Sequence, residues 1–206
     1  MKNQMNNLFI ICCFAVIFVF DGCSPKKAQK TGFLTDYSNL EAVSDTSYFY
    51  IAPGNKLADY NKFIIDHVVV RTYEESDIPK LDQEEIDEVT TYLRAAIIDA
   101  IDDRYEVVKS SGQGVARARI ALTDLKKSEI IQNTLPLTKL IGTGLGGASI
   151  EAELIDSQTG EQLGAIVESQ LGNRLSLEGY STWGDAKAIM DRWAQQFREH
   201  LDEAHD

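Results

Sequence analysis

Residues 149–170, SIEAELIDSQTGEQLGAIVESQ, decide the fold. Ser149 to Ile155 and Leu163 to Gln170 both read as long strands. Between them stands Asp156-Ser-Gln-Thr-Gly160-Glu161, with an aspartate placed to cap a turn and a glycine available for positive φ. This is a hairpin, so the second half of the chain is built on antiparallel sheet.

Periodicity extends the reading in both directions. Downstream, a helix starts near Thr182 and carries Ala186, Ile189, Trp193, Phe197 and Leu201. Upstream, Ala116 to Leu125 alternates with Arg117 and Arg119 outward, and Tyr105 to Val108 is a shorter strand. Asp82 and Glu85 form a capping pattern before a helix with Ile86, Val89, Leu93, Ile97, Ala100 and Ile101 on one stripe. Phe63 to Val70 (FIIDHVVV) is a β-branched run of strand length, apolar on both faces, and reads as one buried strand. Tyr48 to Ile51 is an aromatic strand closed by Pro53-Gly54. The expectation is an α+β fold. It is a two-layer sandwich with a mixed or antiparallel sheet of about five strands and two long amphipathic helices packed on it.

The amino terminus reads differently. After Lys2, residues Leu8 to Phe20 form thirteen apolar residues without a break, an apolar core of secretory-signal length. As a helix it would be about 20 Å long, short of the roughly 30 Å hydrocarbon core of a membrane. Gly22, Cys23, Ser24 and Pro25 follow. The stretch resembles the lipobox of bacterial lipoproteins, which implies that Cys23 is lipidated and becomes the new amino terminus. Phe20 and Asp21 depart from that pattern. The expected organisation is a signal peptide at 1–22, a lipidated cysteine and flexible tether at 23–32, and a single globular domain at 33–206. Ser24 in place of an aspartate after the cysteine implies, by the same resemblance, the outer membrane with the domain facing the periplasm. Lys26, Lys27 and Lys30 belong to a solvated spacer that can lie against anionic headgroups.

Composition agrees. The chain has 206 residues and a net charge of −12, which cleavage leaves unchanged because one lysine and one aspartate depart together. Such an acidic surface argues against a nucleic-acid partner. Cys12 and Cys13 leave with the signal and Cys23 is consumed by lipid, so the mature domain folds without a thiol or disulfide.

Three motifs then carry a second resemblance: GFLTDYSNL at 32–40, GGASIEAELIDSQTGE at 146–161, and WGDAKAIMDRWA at 183–194. Together they resemble the bacterial lipoproteins grouped as Domain of Unknown Function 3313. That resemblance implies location and fold, and it carries no activity to transfer.

Candidate active sites weaken one by one. Gly142, Gly144, Gly146 and Gly147 precede a strand, where a phosphate loop needs a helix, so close backbone approach is the better reading. Ser149 lacks a nucleophile-elbow glycine. His67 reads as a satisfied structural histidine on a strand. His200 and His205 are five apart, off register for a shared metal on a helix. The turn 156–161 lacks the alternating acids of a calcium loop. The acids from Glu74 to Glu88 surround a helix start, where negative charge is favourable. No cofactor, metal or catalytic residue is expected, and the chain is not expected to be an enzyme.

One segment is left over. Lys126 to Gly147 joins two strands by far more residues than a hairpin needs, and it is rich in leucine and isoleucine. It is either a flap over the domain's own core or an exposed apolar patch, in which case Leu135, Leu137, Leu140, Ile141 and Leu145 are the candidate contacts for a protein partner, a second copy or the membrane. The functional expectation is a membrane-anchored envelope lipoprotein acting as a non-enzymatic binding or assembly module. The alternative is a lipid or small-ligand binder using a cavity between helices and sheet.

Overall fold

The computed structural model describes residues 26–129, 144–173 and 181–206. Its centre is three long antiparallel strands: β6 (Val115–Lys126), β7 (Gly147–Asp156) and β8 (Gln162–Leu171). β2 (Ser47–Ile51) pairs antiparallel with β8, and β1 (Glu41–Ser44) with β2. On the opposite flank β3 (Lys62–Ile65) and β4 (Val69–Val70) both run parallel to β6, and β5 (Glu106–Val107) runs parallel to β3. The α+β class and the two helices on a mixed sheet are as expected, but the sheet has eight strands among the described residues, not about five. The extra strands are short. β4 and β5 hold two residues each, and β1 is exposed throughout, so no apolar alternation marks them.

The hairpin forms as its turn chemistry dictates. Asp156 Oδ1 accepts the backbone N–H groups of Gln158 at 2.8 Å and Thr159 at 2.6 Å, and Gly160 takes φ of 76°. The expected single strand FIIDHVVV is interrupted. From Ile65 to Val69 the chain advances four residues while β6 advances three, from Ala118 to Ala121. The extra residue falls in a break at Asp66 to Val68, where Asp66 turns to Arg117 Nη1 at 2.8 Å and His67 is exposed, contrary to a core histidine.

Helix α1 (Gln83–Ile101) starts on a complete capping box: Glu85 N–H donates to Asp82 Oδ1 at 2.9 Å, and Asp82 N–H to Glu85 at 3.4 Å. It buries Val89, Leu93, Ile97 and Ile101. Helix α2 (Gly184–His205) buries Ile189, Met190, Trp193 and Leu201. Arg198 ties the helices together, donating to the Ala100 carbonyl at 2.8 Å near the end of α1 and to Asp202 at 2.8 Å on its own helix. Both helices pack on one face of the sheet, against Ala116, Ala118, Ile120, Leu122, Ile150 and Leu154.

The other face is covered as well, which the expectation of two layers and a flexible tether at 23–32 missed. From Lys26 to Leu40 the chain lies as an extended strap over that face, with Ala28, Phe33, Leu34 and Tyr37 packed on Ala165, Val167, Tyr48 and Tyr50. Residues 26–32 are therefore docked structure. A bulge prepares the surface for them. Leu122 pairs with Ile150 and Asp124 with Ser149, so Thr123 is an extra residue in β6. Simple alternation would send Asp124 toward the helices. The bulge turns it to the strap face and returns Leu125 to the core.

Candidate functional site

Two arrangements stand out, one on each face of the sheet. On the strap face, β7 places Glu151 and Glu153 side by side, 0 % and 3 % exposed. Glu151 has donors from the strap: the backbone N–H groups of Thr31 and Phe33 (3.2 Å to Phe33), and the Tyr37 hydroxyl at 2.6 Å. Glu153 takes the Thr35 N–H at 2.9 Å, the Thr35 hydroxyl at 2.8 Å, Gln162 Nε2 at 2.8 Å and the Arg119 guanidinium. A buried carboxylate is tolerated only when its oxygens are satisfied in this way. The burial of Tyr37 and its bond to Glu151 push the phenol up to about 12. These carboxylates hold the strap and are not free for chemistry.

Lys26 closes the strap's first end. Its Nζ donates to Asp124 at 2.9 Å, Asp77 at 3.3 Å and the Glu75 carbonyl at 2.6 Å. Asp124, 5 % exposed, also receives Tyr73 and Ser76 hydroxyls at 3.2 Å each and the Asp77 N–H at 2.6 Å. Burial and the Asp124 charge raise the Tyr73 pKa.

The helix face carries a cleft. Between the sheet and α2 lies a cavity of about 140 Å³, floored by Ala118, Ile120, Ile150, Ala152, Gly164 and Ile166 and roofed by Trp193 and Phe197. Small residues carve it: alanine at 118 and 152 and glycine at 164 stand in strands whose other inward residues are mostly large. Trp193 is buried, as expected, and its indole N–H is satisfied by Glu168 at 2.7 Å, so the roof offers the cavity an apolar face. The rim consists of Phe49, Ile51, Gln196 and His200. Phe49 and His200 stack at 5.1 Å, and Ile51 is 44 % exposed. A site with this lining can take an apolar group and hold its polar end at the rim. About 140 Å³ resembles the engineered apolar cavities that accept one benzene-sized group.

Of the residues singled out from sequence, Cys23, Leu135, Leu137, Leu140 and Ile141 lie outside the described residues. Leu145 is 2 % exposed and lies in the interior. Ser149 is buried and hydrogen-bonded to Ser169 at 2.9 Å. Gly147 permits close approach, since a Cβ there would stand 2.8 Å from the Gln170 carbonyl. His200 lies at the cleft rim, while His205 bonds the Leu201 carbonyl at 2.6 Å. No cluster of three or more metal-ligating side chains occurs among the described residues. The sequence offered a cavity between helices and sheet as an alternative but none of its lining residues, because these come from β2, β6, β7, β8, both helices and Leu57. The one local signal was small residues inside bulky strands.

The fold is an α+β domain whose second sheet face is closed by an amino-terminal strap; sequence comparison supplies the family. Residues 29–197 match the model of the family described as Protein of unknown function (DUF3313), and the chain belongs to that family. No curated protein matches. Among solved structures, the chain is similar to the PelC dodecamer from Paraburkholderia phytofirmans, with 12% identity, a TM-score of 0.45, and coverage of 76% of this chain and 95% of that chain. It is also similar to a DUF330 protein from Xanthomonas campestris (9%, 0.35, 74% and 88%). A neuraminyllactose-binding hemagglutinin homologue from Helicobacter pylori is a further similar structure (8%, 0.32, 76% and 89%). Likenesses this distant carry no inference about what the chain does.

Proposed function

We propose that this chain is a bacterial envelope lipoprotein, anchored through lipid on Cys23, whose domain is a non-enzymatic module that binds a small apolar ligand or the end of an aliphatic chain. The reading places it at the outer membrane facing the periplasm, on the lipobox-like run ending at Cys23 and on Ser24 after it. The observation that carries the binding role is the cleft under α2. Its walls are mostly apolar side chains from β2, β6, β7, β8 and both helices, with Leu57 beside them, and Gln196 and His200 supply polar groups at its rim. A cavity of that size and lining is stabilised by filling, because an apolar group there recovers lost dispersion contacts and leaves water.

A neutral fluorescent apolar probe, N-phenyl-1-naphthylamine, tests this. Wild-type protein should enhance its emission saturably, and added fatty alcohol should displace it. Ala152→Leu, which fills the cleft from the partly buried floor, should abolish the enhancement, whereas Ala58→Leu on the exposed surface should leave it unchanged. Equal enhancement in all three proteins would remove the cleft as the binding site.

A further inference from the structure

The strap also fixes which end of the domain meets the membrane. This inference rests on lipidation of Cys23. Lys26 is only three residues beyond that cysteine, a span of at most about 11 Å when fully extended. Lys26 is pinned by Asp124, Asp77 and the Glu75 carbonyl. Asp124 lies near the end of β6, beside the start of β7 and the end of β8: Leu125 pairs with Ala148, and Gly147 with Leu171. The anchor therefore leaves the domain at one end of the sheet, with no slack.

The cleft lies toward the other end. Its floor runs from Ile150, which pairs with Leu122, out to Ala118, Leu154 and Gly164 at its far edge, where Ala118 pairs with Leu154, which pairs with Gly164. Six residues of β6 separate Ala118 from Asp124, about 20 Å along a strand. The β7–β8 turn at Asp156 to Gln162 lies farther out still. The strap cannot bring the lipid round to the cleft either, because Glu151 and Glu153 hold it along the opposite face of the sheet.

We propose that the short tether seats the Asp124 end of the domain on the bilayer that holds its own lipid, and points the cleft end and the β7–β8 turn away from that surface. The partner of the seated end is the lipid headgroup layer. Its exposed charges are mixed, with Arg71 and Lys80 among Glu74 and Glu75, so tether length sets the orientation and headgroup attraction does not. The consequence for binding is that the apolar occupant arrives from the aqueous side.

The mature chain has no thiol besides Cys23, so an introduced cysteine takes a fluorophore at one place. Lipidated full-length protein carrying Glu74→Cys or Gln158→Cys is reconstituted in phosphatidylcholine vesicles containing a headgroup-quencher lipid. Both positions are exposed. Vesicle flotation is scored first, and failure to float counts against lipid anchoring itself. In floated protein, the label at 74 should be quenched several-fold more than the label at 158. Equal or reversed quenching overturns the orientation while leaving the anchor intact. Inserting about twenty Gly/Ser residues after Pro25 gives a coil with a mean reach of about 25 Å and leaves the docked strap untouched. That insertion should erase the difference, and its persistence would contradict orientation by a short tether.

Discussion

The Tyr37 hydroxyl donates to Glu151 Oε2 at 2.6 Å, joining the strap to the central strand across 114 positions of sequence. With the Thr31 and Phe33 N–H groups it makes Glu151 the strap's main fixing point. Each donor left unpaired in the interior costs about 1–3 kcal/mol. In a soluble chain starting at residue 23 with Cys23→Ser, Glu151→Ala should lower the denaturant midpoint clearly. It should also open the peptide bonds after Lys27 and Lys30 to trypsin. Resistance equal to that of the parent would mean that the strap is held by its apolar contacts alone.

The same phenol predicts a pH dependence. Tyr37 titrates at about 12 in the folded protein, above the usual value near 10, so folding favours its neutral form. Its contribution is complete below pH 10 and is lost as pH rises through about 12. Tyr60, Tyr92 and Tyr105 are raised to about 12 as well, so stability should fall steeply over this window. Tyr37→Phe should make the fall shallower in chemical denaturation between pH 9 and 12. An identical slope would contradict the assignment.

At the acid end, the N–H groups of Thr159 and Gln158 and the Tyr60 hydroxyl hold Asp156 near 2. A depressed carboxylate adds stability above its unfolded value, and that contribution is lost as pH falls toward 2. Asp156→Ala should therefore be less stable than the parent at pH 6 and approach it as pH falls to 2. A constant gap across that range would show that the turn's carboxylate charge contributes nothing.

Gly172 and Asp185 give a steric test. Asp185, 1 % exposed in the first turn of α2, accepts the Ser128 hydroxyl at 2.9 Å and the Gly146 N–H at 2.8 Å. A Cβ on residue 172 would stand 2.2 Å from the Asp185 Cγ and 2.6 Å from its Cβ, so the clash reaches the root of that side chain and a rotamer change does not relieve it. Gly172→Ala should lower the melting temperature much more than Gly160→Ala. The latter meets nothing within 4 Å and pays only for its φ of +76°, about 1–2 kcal/mol.

How much of this was legible in the sequence differs by element. The 149–170 hairpin, the Asp82 capping box and the Trp193 stripe were, because turn chemistry, capping and periodicity are local. The strap was not. Lys26, Ala28 and Thr31 look like spacer until Glu151, Glu153 and Asp124 are placed beneath them, and alternation alone sends Asp124 to the wrong face until the Thr123 bulge is known. The motifs at 32–40, 146–161 and 183–194 were visible as motifs, but their chemistry was not. The first supplies Phe33, Thr35 and Tyr37 to the second's Glu151 and Glu153, and the third supplies Asp185 to the second's Gly146. The cleft was least visible, since no two of its walls are neighbours in sequence except across hairpins.

Methyl NMR of the soluble domain titrated with 1-hexanol shows whether the cleft under α2 takes an apolar group. Saturable shifts are predicted for methyl groups lining the cleft, among them Ala118, Ile120, Ile150, Ala152, Leu154 and Ile166, with Ala121 and Val167 on the strap side silent, and loss of those shifts in Ala152→Leu. Shifts spread over both faces, or unchanged in Ala152→Leu, would contradict it.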